Sequence, residues 1–308
     1  MHNAARWIAA TLDSALAQTW PQREIIVVDD GSHDDSATIV ESYAAHGVRL
    51  ITQPNRGASA ARNTALAVAR GHFIQFLDAD DLLATDKIAL QMQRLLTSSP
   101  RHIASGEWAR FTNDPTESKF TAEANWKDMS GLEFQLLHYE GGWMMQPAVW
   151  LCPRALLNEA GPWDETLTLN DDGEYFNRVM LKAAGILFCV GARVYYRSCV
   201  TGSLSRRVDS AALRSLWTST ALNCDRILSV GGQNSRTNNA LANGWQRLAF
   251  ELYPTLPELA AEAENRMHEL GGTTYALPVG PTFRHLAKIL GWRRTKRLRD
   301  CLLRLSTP

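Results

Sequence analysis

The first hundred residues alternate two kinds of apolar pattern. Residues 4–18 set Ile8, Leu12, Ala15 and Leu16 near one face, the spacing of an amphipathic helix, and Trp20-Pro21 ends it. Glu24-Ile25-Ile26-Val27-Val28 is a β-branched run that predicts a buried strand, and it runs straight into Asp29-Asp30-Gly31-Ser32. A helix over about 34–45 and a strand over 48–52 follow. The loop Gln53-Pro54-Asn55-Arg56-Gly57 then leads into a helix carrying Ala60, Ala61, Arg62, Asn63 and Ala65. The next apolar run, Phe73-Ile74-Gln75-Phe76-Leu77, predicts another buried strand and ends in Asp78-Ala79-Asp80-Asp81. A helix over 86–98 follows. This alternation predicts an α/β fold, a mainly parallel sheet flanked by helices.

After residue 100 the rhythm loosens. Residues 102–128 read as short strands mixed with polar loops, 147–151 as a strand, and Gly161-Pro162-Trp163-Asp164 as a turn. A helix is predicted over 170–184, with Asp171, Asp172 and Glu174 in its first turn, then two strands at 186–190 and 193–197. From about residue 210 the pattern is helical, broken at Gly231-Gly232 and at Pro254 and Pro257. The expected organisation is a domain over 1–205, in halves 1–100 and 101–205, and a helical extension over 206–308. Within 283–305, Arg284, Lys288, Arg293, Arg294, Lys296, Arg297, Arg299 and Arg304 interleave with leucines against Asp300 alone. Such a helix either lies on an anionic membrane surface or packs on the domain with a solvated basic face.

Charge and cysteine content narrow the classes. Lys plus Arg and Asp plus Glu both number 32, so net charge gives no reason to expect a nucleic-acid partner. The five cysteines form no CxxC pair, so neither a zinc ribbon nor a disulfide framework is indicated. No apolar run approaches the ~18 residues of a spanning helix and no signal-peptide pattern opens the chain. A reducing cytoplasm is the expected setting.

Two of the predicted strands end in acid, and in α/β sheets ligands sit at the carboxyl ends of strands. In extended backbone Asp78 and Asp80 share a face. Their charges repel unless a proton or cation lies between them. A hard divalent ion, Mg²⁺ or Mn²⁺, suits such oxygens and can bridge to phosphate. The alternative is that Asp80 or Asp81 caps a helix beginning near Leu82.

Taken in order, Val27-Val28-Asp29-Asp30-Gly31-Ser32, Asn55-Arg56-Gly57, Ala61-Arg62-Asn63, Asp78-Ala79-Asp80-Asp81, Gly161-Pro162-Trp163-Asp164-Glu165 and Asp171-Asp172-Gly173-Glu174 with Arg178 resemble the family-2 glycosyltransferases of GT-A fold. The resemblance covers about residues 3–205. It implies a nucleotide-sugar donor (UDP most commonly), a divalent metal and inversion at the anomeric carbon. Carried over by position, Asp29 and Asp30 would face the nucleotide, Arg62 would lie near it, Asp78 would meet ribose and metal, and Asp80 would hold the metal. The catalytic base falls on Asp172, with Asp171 as the rival. The acceptor would be a glycan or a lipid-linked sugar in cell-surface glycan assembly. Residues 203–207 are either a lid with Arg206 or Arg207 on the diphosphate or an ordinary basic loop, and Trp143, Trp150 and Trp163 are candidate sugar-stacking residues or core anchors.

The family's opening strand, an apolar run ending in Pro-x-Tyr-Asn, is replaced by Met1-His2-Asn3, so an unpaired sheet edge is expected beside the Ile25 strand. The histidine often found after Tyr195-Tyr196-Arg197 is absent, with Cys199 nearby, which leaves a third metal ligand open. Two other functions fit parts of the pattern. A nucleotidyltransferase of similar fold would need a Gly-rich basic phosphate loop, and none is present. An inactive protein that only binds sugar nucleotide or a membrane surface would not need the acidic clusters.

Overall fold

The structure, a computed structural model, describes residues 1–143, 146–198, 209–277 and 279–306, with 303–306 as backbone only. The β-branched run forms β1 (Ile25–Asp30), paired in parallel with β2 (Val48–Gln53) from Ile25–Val48 to Asp30–Gln53. α1 (Ile8–Leu16) and α2 (Ser36–Ser42) join them in one apolar cluster of Ile8, Leu12, Val27, Val40 and Val48. On the other edge of β1, Met1 makes a one-residue bridge. Its nitrogen donates to Val28 O (2.6 Å), and its carbonyl accepts from Asp30 N (2.9 Å).

The remaining strands form a second sheet. β3 (Phe73–Gln75), β4 (Leu82–Leu83), β5 (His102–Phe111), β6 (Leu151–Pro153) and β7 (Gly185–Arg197) lie in the order β3-β6-β5-β7-β4. Only β5 and β7 run parallel there; the other pairs are antiparallel. The α/β class holds, with the sheet divided in two and mixed in direction. The short strands read over 102–128 are instead dominated by one ten-residue strand, β5. The two strands read at 186–197 are one, because Gly191 (φ 81°) lies within a bulge opposite Gly106 and Glu107 rather than ending the strand. Residues 147–149 form a 3-10 turn leading into β6 rather than a strand.

α3 (Ala58–Val68) packs on β1 and α4 (Lys87–Leu95) on β5 and β7. α5 (Gly131–Gly141), α6 (Arg154–Ala160) and α7 (Asp171–Lys182) pack together on β6, around Trp150, Trp163, Tyr175 and Val179. α5 meets α7 at backbone contact: a Cβ at Gly131 would stand 1.9 Å from the Met180 carbonyl oxygen.

The predicted helical region comprises α8 (Ser210–Gly231), α9 (Ser235–Leu252), α10 (Pro257–Glu269), α11 (Pro281–Leu290) and α12 (Trp292–Ser306). Ile227, Leu241, Trp245 and Leu252 of α8 and α9 share a core with Leu136 and Tyr139 of α5. The basic stretch read as one helix is two, α11 and α12, divided at Gly291 (φ 76°). No helix among the described residues is long and apolar enough to cross a membrane.

Candidate active site

β1 ends in two buried carboxylates. Asp29 accepts from the backbone N–H of Ser32 (3.2 Å), closing the Asp-Asp-Gly-Ser turn. Asp30 accepts from the backbone N–H groups of Arg56 (2.9 Å) and Gly57 (2.8 Å) and from Gln53 Nε2 (2.7 Å). Its carboxylate fixes the loop that begins α3, and through α3 it sets Arg62.

The second acidic cluster is a turn beyond β3. Asp81 N donates to Asp78 O (3.2 Å), and Thr11 Oγ1 donates to the carbonyls of Ala79 and Asp81 (3.0 Å each). Arg197, at the end of β7, clamps the turn from the other side: its N–H reaches Asp81 Oδ1 (2.8 Å) and its Nε reaches Asp80 O (2.9 Å). Leu82 and Leu83 then pair with Tyr195 and Val194, and the next helix begins only at Lys87. The helix-cap reading of Asp80 and Asp81 is therefore corrected: a β-bridge occupies the position where that helix would start.

Arg62 joins this turn to α7. One guanidinium nitrogen donates to Asp78 Oδ1 and another to Asp171 Oδ2, each at 2.8 Å, and Ser59 Oγ also donates to Asp171 Oδ2 (2.9 Å). The guanidinium carbon lies 4.5 Å from the Trp163 ring centroid, and Trp163 stacks on Tyr175 at 4.0 Å. Asn63 exchanges hydrogen bonds with the backbone of Trp163 and reaches Glu165, which also pairs with Arg56. Arg178 grips Glu174 with two nitrogens (2.9 Å each) and donates to the carbonyls of Ala160 and Pro162. The separate sequence motifs thus interlock side chain by side chain.

Behind α7 runs a polar stripe of α8. Ser215 Oγ accepts from the N–H groups of Thr168 and Leu169, Ser219 Oγ accepts from Asn170 Nδ2, and Asn223 Nδ2 donates to Gly173 O. Arg226 pairs with the buried Glu174 at 2.7 Å. Positions 215, 219, 223 and 226 fall on one helical face. They hold the segment that enters α7, including Asn170 in a left-handed conformation (φ 59°), which asparagine tolerates. A Cβ at Gly173 would lie 2.1 Å from Asn170 Oδ1, so glycine permits that fold-over.

The electrostatics follow from this crowding. Asp172 keeps some exposed surface but is hemmed in by protein. Desolvation, reinforced by Asp171 and opposed by Arg62, pushes its carboxyl up to about 6. Asp80 is also raised to about 6, by burial and then by Asp78, and it has no ion pair among the described residues. Asp81 is raised by burial and by both neighbouring acids, and its Oδ2 has no hydrogen-bond partner among the described residues. Burial opposes the charge on Arg62, but Asp78 and Asp171 outweigh it and raise its pKa. Asp78 and Asp80 supply carboxylate oxygens of the kind a hard divalent cation takes. Among the described residues no three acidic, histidine or cysteine side chains form a complete cage. Two carboxylates would leave the remaining positions to water and phosphate oxygens.

The structure therefore brings Arg62, Asp78, Asp171 and, in sequence beside them, Asp80 and Asp172 to one place, with Asp29 and Asp30 at the adjoining strand end. Trp150 and Trp163 are buried core anchors; Trp143 is 36% exposed. The candidate lid 203–207 and Cys199 lie outside the described residues. Sequence reasoning did not assign Thr11, Ser59, Arg197, Ser219 or Arg226 to the site. Their roles depend on contacts across the fold, and only the Tyr195-Tyr196-Arg197 run carried a hint.

The model of glycosyl transferase family 2 matches residues 1–159. The chain belongs to that family. Among curated relatives, a UDP-Glc:alpha-D-GlcNAc-diphosphoundecaprenol beta-1,3-glucosyltransferase of Escherichia coli, WfgD, is 34% identical over 122 residues, 39% of this chain and 48% of its own. The chain thus spans about half the length of that relative. Among solved structures, Staphylococcus aureus TarS 1–349 in complex with UDP has a TM-score of 0.60 at 18% identity, covering 88% of each chain. The mannosyltransferase PcManGT of Pyrobaculum calidifontis, in complex with GDP-Man and Mn²⁺, gives 0.57 at 18% identity, covering 98% of this chain and 83% of its own. At these identities the likeness is one of fold, and the fold is the GT-A fold of glycosyltransferases. The family membership rests on the matched residues, which include Asp30, Arg62, Asp78 and Asp80.

Proposed function

We propose that this protein transfers a sugar from a nucleotide-diphosphate donor, a UDP-sugar in the first instance, to a hydroxyl of a glycan or lipid-linked acceptor. The observation that carries the reading is Arg62, bonded at 2.8 Å to both Asp78 and Asp171. It sets an acidic strand-end turn beside a second acid on a separate helix. Transfer needs one group of carboxylates at the leaving diphosphate and another acid at the acceptor.

In the proposed reaction the acceptor oxygen bonds to the anomeric carbon as the bond from that carbon to the diphosphate oxygen breaks. The nucleoside diphosphate leaves with the electron pair, and Asp172 takes the hydroxyl proton. Attack opposite the leaving group inverts the centre. Asp171 is already engaged by Arg62 and Ser59, which favours Asp172 as the base. Asp78 and Asp80 would hold Mg²⁺ or Mn²⁺, which when bound neutralises charge on the leaving diphosphate. Asp29 and Asp30 shape the nucleotide side, Asp30 through the Arg56–Gly57 loop. The relative named for a diphosphoundecaprenol-linked sugar supports a lipid-linked acceptor.

The test is calorimetric titration of the 308-residue chain with UDP and Mn²⁺, with GDP and dTDP in parallel, beside Asp80→Ala. Metal-dependent binding by the wild type, lost in the variant, is expected. Failure of a folded wild type to bind any of the three nucleotides would sink the reading.

A further inference from the structure

The two C-terminal helices present an outward face that the site does not use. α12 packs inward through Trp292, which lies against Phe250 and Tyr253, and through the buried Thr295 and Lys296. α11 packs inward through Phe283, against Phe250. Their outward positions are of another kind. Ile289 (72% exposed) and Leu290 (40%) on α11, with Leu298 (46%) and Leu302 (58%) on α12, are half of the large apolar side chains exposed among the described residues. The others, such as Leu96 and Val230, are scattered through other parts of the chain.

Between these apolar residues stand exposed cations. Arg284 and Lys288 lie outward on α11, and Arg294 and Arg297 on α12. On α12, Arg294, Leu298 and Leu302 follow at four-residue intervals, so charge and leucine share one stripe. Residues 281–302 carry seven Lys or Arg and one acid in a chain that is neutral overall. Arg293 is paired with Glu264, Arg299 with Asp300, and Arg297 lies over the Tyr253 ring at 5.2 Å, whereas Arg284, Lys288 and Arg294 make no ion pair with any described residue. Apolar side chains at the level of a row of unpaired cations suit one kind of partner surface, where acyl chains lie just beneath anionic headgroups. Two short helices bent at Gly291 can both rest on such a surface, and neither is long enough to cross it.

We propose that the outward face of α11 and α12 docks the protein on a bilayer surface rich in anionic phospholipid. The inference is independent of the chemistry proposed for the site. It is tested by co-sedimentation of the full chain with vesicles of phosphatidylcholine alone and with phosphatidylglycerol added, at low and high salt. Binding is expected only with phosphatidylglycerol, falling as salt rises. Lys288→Glu with Arg294→Glu should weaken it by roughly tenfold or more. Leu298→Asp with Leu302→Asp should weaken it while thermal unfolding and nucleotide binding stay as in the wild type. Equal sedimentation with both vesicle types, binding unaffected by either double variant, or a self-association that consumes the same face and leaves vesicles unbound would each overturn the proposal.

Discussion

Arg62 and Asp171 are joined at 2.8 Å, and this one ion pair fastens α3 to the head of α7. The same guanidinium holds Asp78, so three carboxylates near one another, Asp78, Asp171 and Asp172, depend on one cation for compensation. Arg62→Lys offers a point charge that cannot form both bonds with the planar fork's geometry. The expected outcome is a loss of about 1.5 kcal/mol in chemical denaturation, the order of one lost hydrogen bond to a charged group. Nucleotide affinity should fall with it. A variant as stable as the wild type, with unchanged UDP titration, would contradict the bridging role.

Asp172→Asn should preserve UDP and metal binding and lower turnover by about 10²- to 10⁴-fold, the range of general-base catalysis. The wild-type carboxyl is raised to about 6 by burial and by Asp171. It is protonated below that value and competent above it, so turnover should rise as pH passes through about 6. The variant should lose that limb of the profile. If Asp171→Asn abolishes the limb and Asp172→Asn retains it, the base is Asp171.

Lys87 is fully buried on α4 and donates to Gln75 Oε1 behind the strand that precedes the acidic turn. Burial lowers its pKa to about 7 from 10.5. Because the folded pKa lies below the unfolded one, protonation favours unfolding. That penalty is full below about pH 7 and fades as pH rises from 7 toward 10.5. Lys87→Met should therefore change stability relative to wild type most favourably at pH 6, with the difference shrinking by a few kcal/mol toward pH 10. Urea unfolding at both pH values measures it, and a pH-independent difference would refute a neutralising lysine.

Arg226→Ala removes from the buried Glu174 one of its two arginine partners. A destabilisation of about 2 kcal/mol is expected. Because Arg226 acts on the helix bearing Asp171 and Asp172, kcat should fall more than donor KM changes, and Arg226→Lys should restore part of it. Equal changes in both constants would reduce Arg226 to a general structural role.

Local pattern made β1, β2, α3, α4 and α7 legible, because each buries one face at its own period. The acidic ends of β1 and of the Phe73 run were visible as apolar residues giving way to carboxylates. What the pattern could not disclose lay between elements. Arg197 reads as the last residue of a strand, and its clamp on Asp80 and Asp81 exists only because β4 pairs with β7. Ser219 and Arg226 look like ordinary polar positions of a long helix until α8 is laid against α7. β5 does not read as one strand because Ser105, Gly106 and Glu107 interrupt its apolar run; burial on both faces removes the need for alternation. Gly191 and Gly291 show the opposite ambiguity, the first absorbed as a bulge and the second dividing two helices.

The contact at Gly131 has a mechanical consequence. With α5 seated on the α7 backbone at Met180, and α5 sharing its core with α8 and α9, the helix carrying Asp171 and Asp172 is held between two cores, its own Tyr175, Phe176 and Val179 packing with Phe76, Ile103 and Ile186 on the sheet side. Asp78 and Asp80 are mounted on the strands. Arg62 ties the two acid sets at the head of α7, and Gly131 seats the other end of the same helix. A single methyl group at position 131 would collide with backbone that cannot rotate away, so it would act as a wedge at the tail of the helix whose head carries the acids.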